Sequence, residues 1–207
     1  MIKPKIKNND GEYKKDYDDL PKFISYYYQI KWVKRLNKKK ILEIGIGNKT
    51  VSNYLKNNNF DVTTFDYDHR LNPDFVGDIR KLPFENKSFD VILCCEVLEH
   101  IPFEDFKKGL KEIGRVTKKH AIISIPYSCL RFELAARIHN RIFDFLIRIP
   151  TFFLRMPKEG EHYWELGRKG YSKRKIRRVI EKTGFKILKE ETPILNPYHQ
   201  FFILEKT

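Results

Sequence analysis

At 207 residues, with 41% hydrophobic and 14% aromatic side chains, the chain can bury one ordinary core without disulfides or a structural metal, which excludes a largely disordered protein despite 33% charged residues. Its three cysteines include the adjacent pair Cys94 and Cys95 and offer neither a disulfide framework nor a Cys-x-x-Cys spacing; Met1 to Leu20 lacks the apolar core of a leader, so a reducing cytoplasm is expected. The formal net charge of +14 invites an anionic partner such as RNA, a phospholipid surface or an acidic substrate, but it is spread over both halves and singles out none of them.

In chain order, residues 1–40 read as a helical extension. Asp19 to Leu36 carries Phe23, Tyr26, Tyr27, Ile30, Val33 and Leu36 at helical spacing, which predicts an amphipathic helix with those residues inward. A short apolar run, Ile41 to Ile46, closes on Gly45 and Gly47, and a helix over Thr50 to Asn57 and a strand over Val62 to Phe65 complete a βαβ unit. A weaker strand at Phe75 and Val76 precedes Asp78, a strong one covers Asp90 to Cys95, and a helix from Phe103 to Val116 leads into a strand over His120 to Ile125. Residues 128–160 interrupt the alternation and are read as a helical insert after the fifth strand. The helix Ser172 to Thr183 and the strands Phe185 to Glu191 and Gln200 to Glu205, paired as a hairpin, end the chain. This order predicts a single α/β domain over 1–207, a mostly parallel sheet with helices on both faces. The greasiest stretch, Ile142 to Leu154, is broken by Asp144, Arg148 and Pro150, so no spanning helix is expected.

Open parallel sheets bind ligands at the carboxyl ends of their strands. Glu43-Ile-Gly45-Ile-Gly47-Asn48 follows the first strand, where glycines let the backbone approach a ligand and turn sharply, and Asp66 ends the second, where a carboxylate can accept both hydroxyls of a ribose. No glycine stands between Asn48 and Val51, as a nicotinamide-binding loop would want for its pyrophosphate.

Through Ile41-Leu-Glu-Ile-Gly-Ile-Gly47, Gly77-Asp-Ile-Arg-Lys-Leu-Pro-Phe84, Ser88-Phe-Asp-Val-Ile92 and Glu96-Val-Leu-Glu-His-Ile-Pro102, the chain resembles the class I S-adenosylmethionine-dependent methyltransferases, methyltransferase type 11-like, over about 41–124 and more loosely over 160–204. The resemblance implies a Rossmann-like seven-stranded sheet with an antiparallel C-terminal strand. It implies that Glu43 steadies the glycine loop, that Gly45, Ile46 and Gly47 with Glu96 border the methionine end, that Asp66 and Tyr67 hold the ribose, and that Asp78 and Ile79 meet the adenine. The family's third glycine is replaced by Lys49, which either crowds the loop or faces solvent.

Methyl transfer from a sulfonium needs alignment and, for an oxygen acceptor, removal of a proton. Candidates near the methyl are Glu96, Glu99 and His100, Tyr127, and His162, Tyr163 and Trp164, with Glu99, His100 and His162 as the catalytic set. On a helix beginning at Glu96, the spacing i, i+3, i+4 places Glu96, Glu99 and His100 on one face. The pattern is similar to that of metal-dependent methyltransferases acting on the terminal 2′-hydroxyl of small RNAs and of some quinone-pathway O-methyltransferases. That resemblance adds His162, in His162-Tyr-Trp-Glu165, as a fourth ligand of magnesium or manganese; metal-free relatives carry a similar stretch.

The insert mixes apolar residues with Arg131, Arg137, Arg141, Arg148 and Arg155. Three readings stand: a lid over the strand ends, an anionic-membrane contact through 130–154, or a face packed on the core or a second subunit, the chain being monomer or homodimer. The expected function is methylation of a small-molecule acceptor, a hydroxyl on a hydrophobic, glycan or lipid-precursor substrate. RNA 2′-O-methylation, without an RRM or KH pattern, and a non-catalytic S-adenosylmethionine-binding or membrane-docking module are the alternatives.

Overall fold

The computed structural model describes residues 2–5, 18–139, 141–157 and 160–207. Helix α1 (Leu20–Leu36) starts where the Asp19 carboxylate accepts the Lys22 amide at 3.0 Å and ends where Asn37 turns left-handed. There follow β1 (Lys40–Ile44), α2 (Thr50–Asn57), β2 (Asp61–Asp66), β3 (Phe75–Val76), β4 (Phe89–Cys95), α3 (Phe103–Val116) and β5 (Thr117–Pro126). A ribbon of β6 (Cys129–Ile138) and β7 (Arg141–Pro150) precedes α4 (Lys173–Glu181), β8 (Phe185–Glu191) and β9 (His199–Lys206).

The seven-stranded sheet runs β3-β2-β1-β4-β5-β9-β8 and is parallel except for β9, which is antiparallel to both neighbours, as expected. Alternation along its central strands splits the core in two. Leu42, Ile44, Ile92, Cys94, Ala121 and Ile123 face α3 and α4, while Ile41, Val91, Leu93 and Ile122 face α1 and α2.

Two expectations are corrected. Helix α1 buries Ser25, Gln29, Trp32 and Val33 and leaves Phe23 and Tyr27 exposed, because the face carrying Ser25 and Gln29 borders a cavity. The insert 128–160 is not helical: ten-residue strands β6 and β7 pair from Cys129↔Pro150 to Ile138↔Arg141. The reason is visible in the alternation Leu130-Arg-Phe-Glu-Leu134 and Phe143-Asp-Phe-Leu-Ile-Arg-Ile149, a period of two with aromatic and β-branched residues.

Candidate active site

At the carboxyl ends of β1, β2 and β4 lies one cavity of about 400 Å³. Its floor is the loop after β1. Gly45 has φ +80°, and a Cβ there would sit 2.2 Å from a Val97 methyl, so both backbone and space require glycine. Lys49 adopts φ +65° as the N-cap of α2, a left-handed conformation that glycine takes more cheaply, and its ammonium reaches outward to the Asn72 carbonyl at 2.9 Å. Of the two options for the missing third glycine, the structure realises the one that leaves the cavity open.

Asp66 closes one wall. Its two carboxylate oxygens accept the Ile46 and Asp68 amides, both at 2.9 Å, and burial pushes its pKa up against those hydrogen bonds. Glu43 beneath the loop is raised to about 8 by burial, opposed by a Ser52 hydrogen bond, and one of its oxygens is buried without a partner. Gly45, Ile46, Gly47, Tyr67, Ile79 and Glu96 also line the cavity. Asp78 does not: it forms a bidentate pair with Arg80, which also reaches Asp105, leaving Gly77 and Ile79 as the wall at that end.

The opposite end gathers His100, His162, Tyr198 and His199 beside Glu96. Glu96 does not begin a helix; it is left-handed at φ +55°, and residues 98–100 form a single 3₁₀ turn. Its carboxylate accepts Ser124 Oγ at 2.7 Å and stands 3.5 Å from His199 Nε2. Burial raises Glu96 to about 8 and lowers His199 to about 4, disfavouring the charged form of each.

Three of the four expected metal ligands do converge, and Glu96 is the one left out. Glu99, His100 and His162 offer donor atoms within 4.8 Å of one another, with Glu99 Oε1 3.9 Å from His100 Nε2 and 4.0 Å from His162 Nε2. Among the described residues, neither oxygen of the fully buried Glu99 has a hydrogen-bond partner. The other ring nitrogens are held: His100 Nδ1 lies 2.9 Å from the Glu161 carbonyl, and His162 Nδ1 lies 3.0 Å from Glu165 Oε1. Burial opposes the charge of Glu165, but His162, Arg168 and Tyr198 outweigh it and hold its pKa at about 2.

The remaining candidates have packing roles. Trp164 is buried against Phe103 and Phe106 and donates to the Ile101 carbonyl, Tyr163 donates to the Lys3 carbonyl, and Tyr127 lies under Arg148. Sequence reasoning missed Lys5, Ser25, Gln29, Tyr198 and His199, all of which line the cavity. For the last two a signal existed, because an antiparallel strand begins where its parallel neighbours end, and β9 begins at His199. Cover comes from residues 4–5 and α1; none of the described residues of 130–154 lines the cavity, which gives the lid reading of that segment no support. Lys5 straps the opening, its amide donating to the His100 carbonyl and its ammonium to those of Gly160 and His162.

Residues 42–125 match the family model described as a methyltransferase domain. That match covers less than half of the chain; the fold as a whole is that of solved S-adenosylmethionine-dependent methyltransferases. Among curated proteins it is similar to a demethylmenaquinone methyltransferase of Staphylococcus haemolyticus, 29% identical over 117 residues, covering 55% of this chain and 47% of that protein. The match thus spans about half the relative's length. Among solved structures it resembles the magnesium protoporphyrin IX methyltransferase of Synechocystis PCC 6803 with bound S-adenosylhomocysteine, at TM-score 0.68, 14% identity and coverage of 96% of this chain and 90% of that one. It also resembles the 1,6-didemethyltoxoflavin-N1-methyltransferase of Burkholderia thailandensis, at TM-score 0.59, 12% identity and coverage of 88% and 78%. At these identities the structural likeness concerns the fold alone. Among the described residues no helix is long and apolar enough to cross a membrane.

Proposed function

We propose that the chain works as one transferase unit that moves a methyl group from S-adenosylmethionine to a hydroxyl of a small, hydrophobic acceptor. The observation that carries this reading is the single cavity joining the glycine loop and Asp66 to the cluster of His100, His162, Tyr198 and His199. The donor fits the residues present: Asp66 has lone pairs left for ribose hydroxyls, Glu43 has an unpartnered oxygen, and a Cβ at Gly45 would meet Val97 beside the methionine end. A volume of about 400 Å³, covered by residues 4–5 and α1, suits a compact acceptor better than a polynucleotide.

In such a reaction the acceptor oxygen attacks the methyl carbon, the carbon–sulfur bond breaks, and the hydroxyl proton must leave. The protein's part is alignment along one line and handling of that proton. Glu99, His100 and His162 would hold a divalent cation, and the two imidazoles favour a first-row ion such as manganese over magnesium. When bound, the ion would supply Lewis acidity that lowers the acceptor's pKa. The support is the orphaned Glu99 carboxylate and the two histidines whose outer nitrogens are fixed by Glu161 and Glu165, the way ligating imidazoles are commonly oriented.

Transfer of label from methyl-tritiated S-adenosylmethionine to fractionated small molecules tests the reading. Label in an apolar, EDTA-sensitive fraction, restored by manganese and lost in His162→Ala, is expected. Full activity in excess EDTA would remove the metal, and absence of donor binding would remove the transferase.

A further inference from the structure

Among the described residues the β6–β7 ribbon takes no part in the cavity, and one face of its half nearest the root is apolar. Register places Leu130, Phe132 and Leu134 opposite Ile149, Ile147 and Phe145 on that face. All six are exposed, between 44% and 62%. Phe152 and Phe153, at 67% and 57%, extend the surface at the ribbon's root. A two-stranded ribbon is marginal in water by itself, and a contiguous apolar face of this kind ordinarily has a partner.

Charge decides which. Residues 128–157 contain five arginines, two acids and no lysine, although lysine outnumbers arginine in the chain as a whole. Guanidinium groups grip phosphate through paired N–H donors, which the lysine ammonium cannot do. Arg131 and Arg148 pair in register on the face opposite the apolar one, as in an amphipathic interfacial element, and Arg155 follows at the root; a second copy would bring another net charge of +14 to the contact, whereas an anionic phospholipid surface supplies the opposite sign. The ribbon is also rooted next to the cavity: the Tyr127 amide at its base donates to the carbonyl of Tyr198, a cavity residue, at 2.6 Å.

We infer that the β6–β7 ribbon is an interfacial anchor that lays its Leu130–Phe132–Leu134 face into an anionic phospholipid surface, with Arg131 and Arg155 at headgroup level. This goes beyond the transferase reading and does not depend on it. An amphipathic element of this kind binds through apolar area and attraction to anionic lipid together.

The test is flotation of the full chain, at low salt, with vesicles of phosphatidylcholine containing about 30% phosphatidylglycerol. The protein is expected to float with these vesicles and about tenfold less with pure phosphatidylcholine. Phe132→Ser with Ile147→Ser is expected to lower flotation about tenfold, and Arg131→Gln with Arg155→Gln to lower it on the anionic vesicles only. These side chains are largely exposed, and unchanged thermal unfolding checks that the variants fold; Leu134→Ser serves if the first pair does not. Wild-type protein left at the bottom of the gradient would overturn the inference, as would a serine variant that floats undiminished. Light scattering that finds a dimer which the serine variant converts to monomer, without flotation, would assign the face to a second copy instead.

Discussion

Replacing Asp66 by alanine probes the donor pocket where folding and binding meet. The carboxylate accepts two backbone amides at 2.9 Å, one from the glycine loop and one from the turn after β2. Hydrogen bonds to a charged acceptor contribute about 1.5–3 kcal/mol each. Burial, which raises the Asp66 pKa, offsets part of this, so the expected loss of stability is about 2 kcal/mol. For the ligand, loss of the ribose acceptor is worth about 1.5–3 kcal/mol, roughly 10- to 150-fold in Kd. Asp66→Asn should fall between, since it keeps one acceptor oxygen but turns an amide N–H toward a backbone N–H. Titration calorimetry with S-adenosylmethionine, alongside thermal unfolding, separates the two effects. Affinity within about twofold of wild type in a folded Asp66→Ala protein would refute the assignment of the ribose to this wall.

Other expectations follow from the same structure. Glu43, raised from 4.5 to about 8, makes a relative contribution to stability that is fully present below pH 4.5 and lost as pH rises through about 8. Glu43→Gln should therefore raise Tm more in alkaline than in acid buffer. Ionised Glu43 favours a cationic donor, so affinity for S-adenosylmethionine should rise about tenfold from roughly pH 7 to 9 and do so less in Glu43→Gln, measured by calorimetry. Lys49→Gly relieves a left-handed residue and should stabilise by about 1 kcal/mol, read as a higher denaturant midpoint; a lower midpoint would mean the Lys49–Asn72 contact outweighs the strain. Arg80→Ala leaves Asp78 and Asp105 facing each other without the nearly buried guanidinium, and should destabilise by about 2–3 kcal/mol, discounted because both acids are partly exposed.

Much of the fold was legible because its signals are local. The apolar runs of β1, β2, β4 and β5 and the amphipathic stretch of α3 announce themselves, and the glycine loop and Asp66 fall at strand ends where a parallel sheet must bind its ligand. The ribbon was misread because its apolar residues satisfy helical spacing in part, while the alternation of Leu130, Phe132 and Leu134 with Arg131 and Glu133 went unweighted. The inner face of α1 differs for another reason: Ser25 and Gln29 wall a cavity, and hydrophobic periodicity carries no signal for polar side chains placed there. Glu96 left the Glu99 and His100 cluster because a left-handed residue at position 96 breaks the helical register on which their expected alignment depended.

The most direct test of the central claim is a crystal structure of the chain with S-adenosylhomocysteine. The ribose is expected against Asp66, the adenine toward Ile79, and the sulfur in the cavity facing the Glu96 side, with His100 and His162 beyond it. A ligand bound elsewhere, or a glycine-loop cavity that stays empty at saturating ligand, would contradict it.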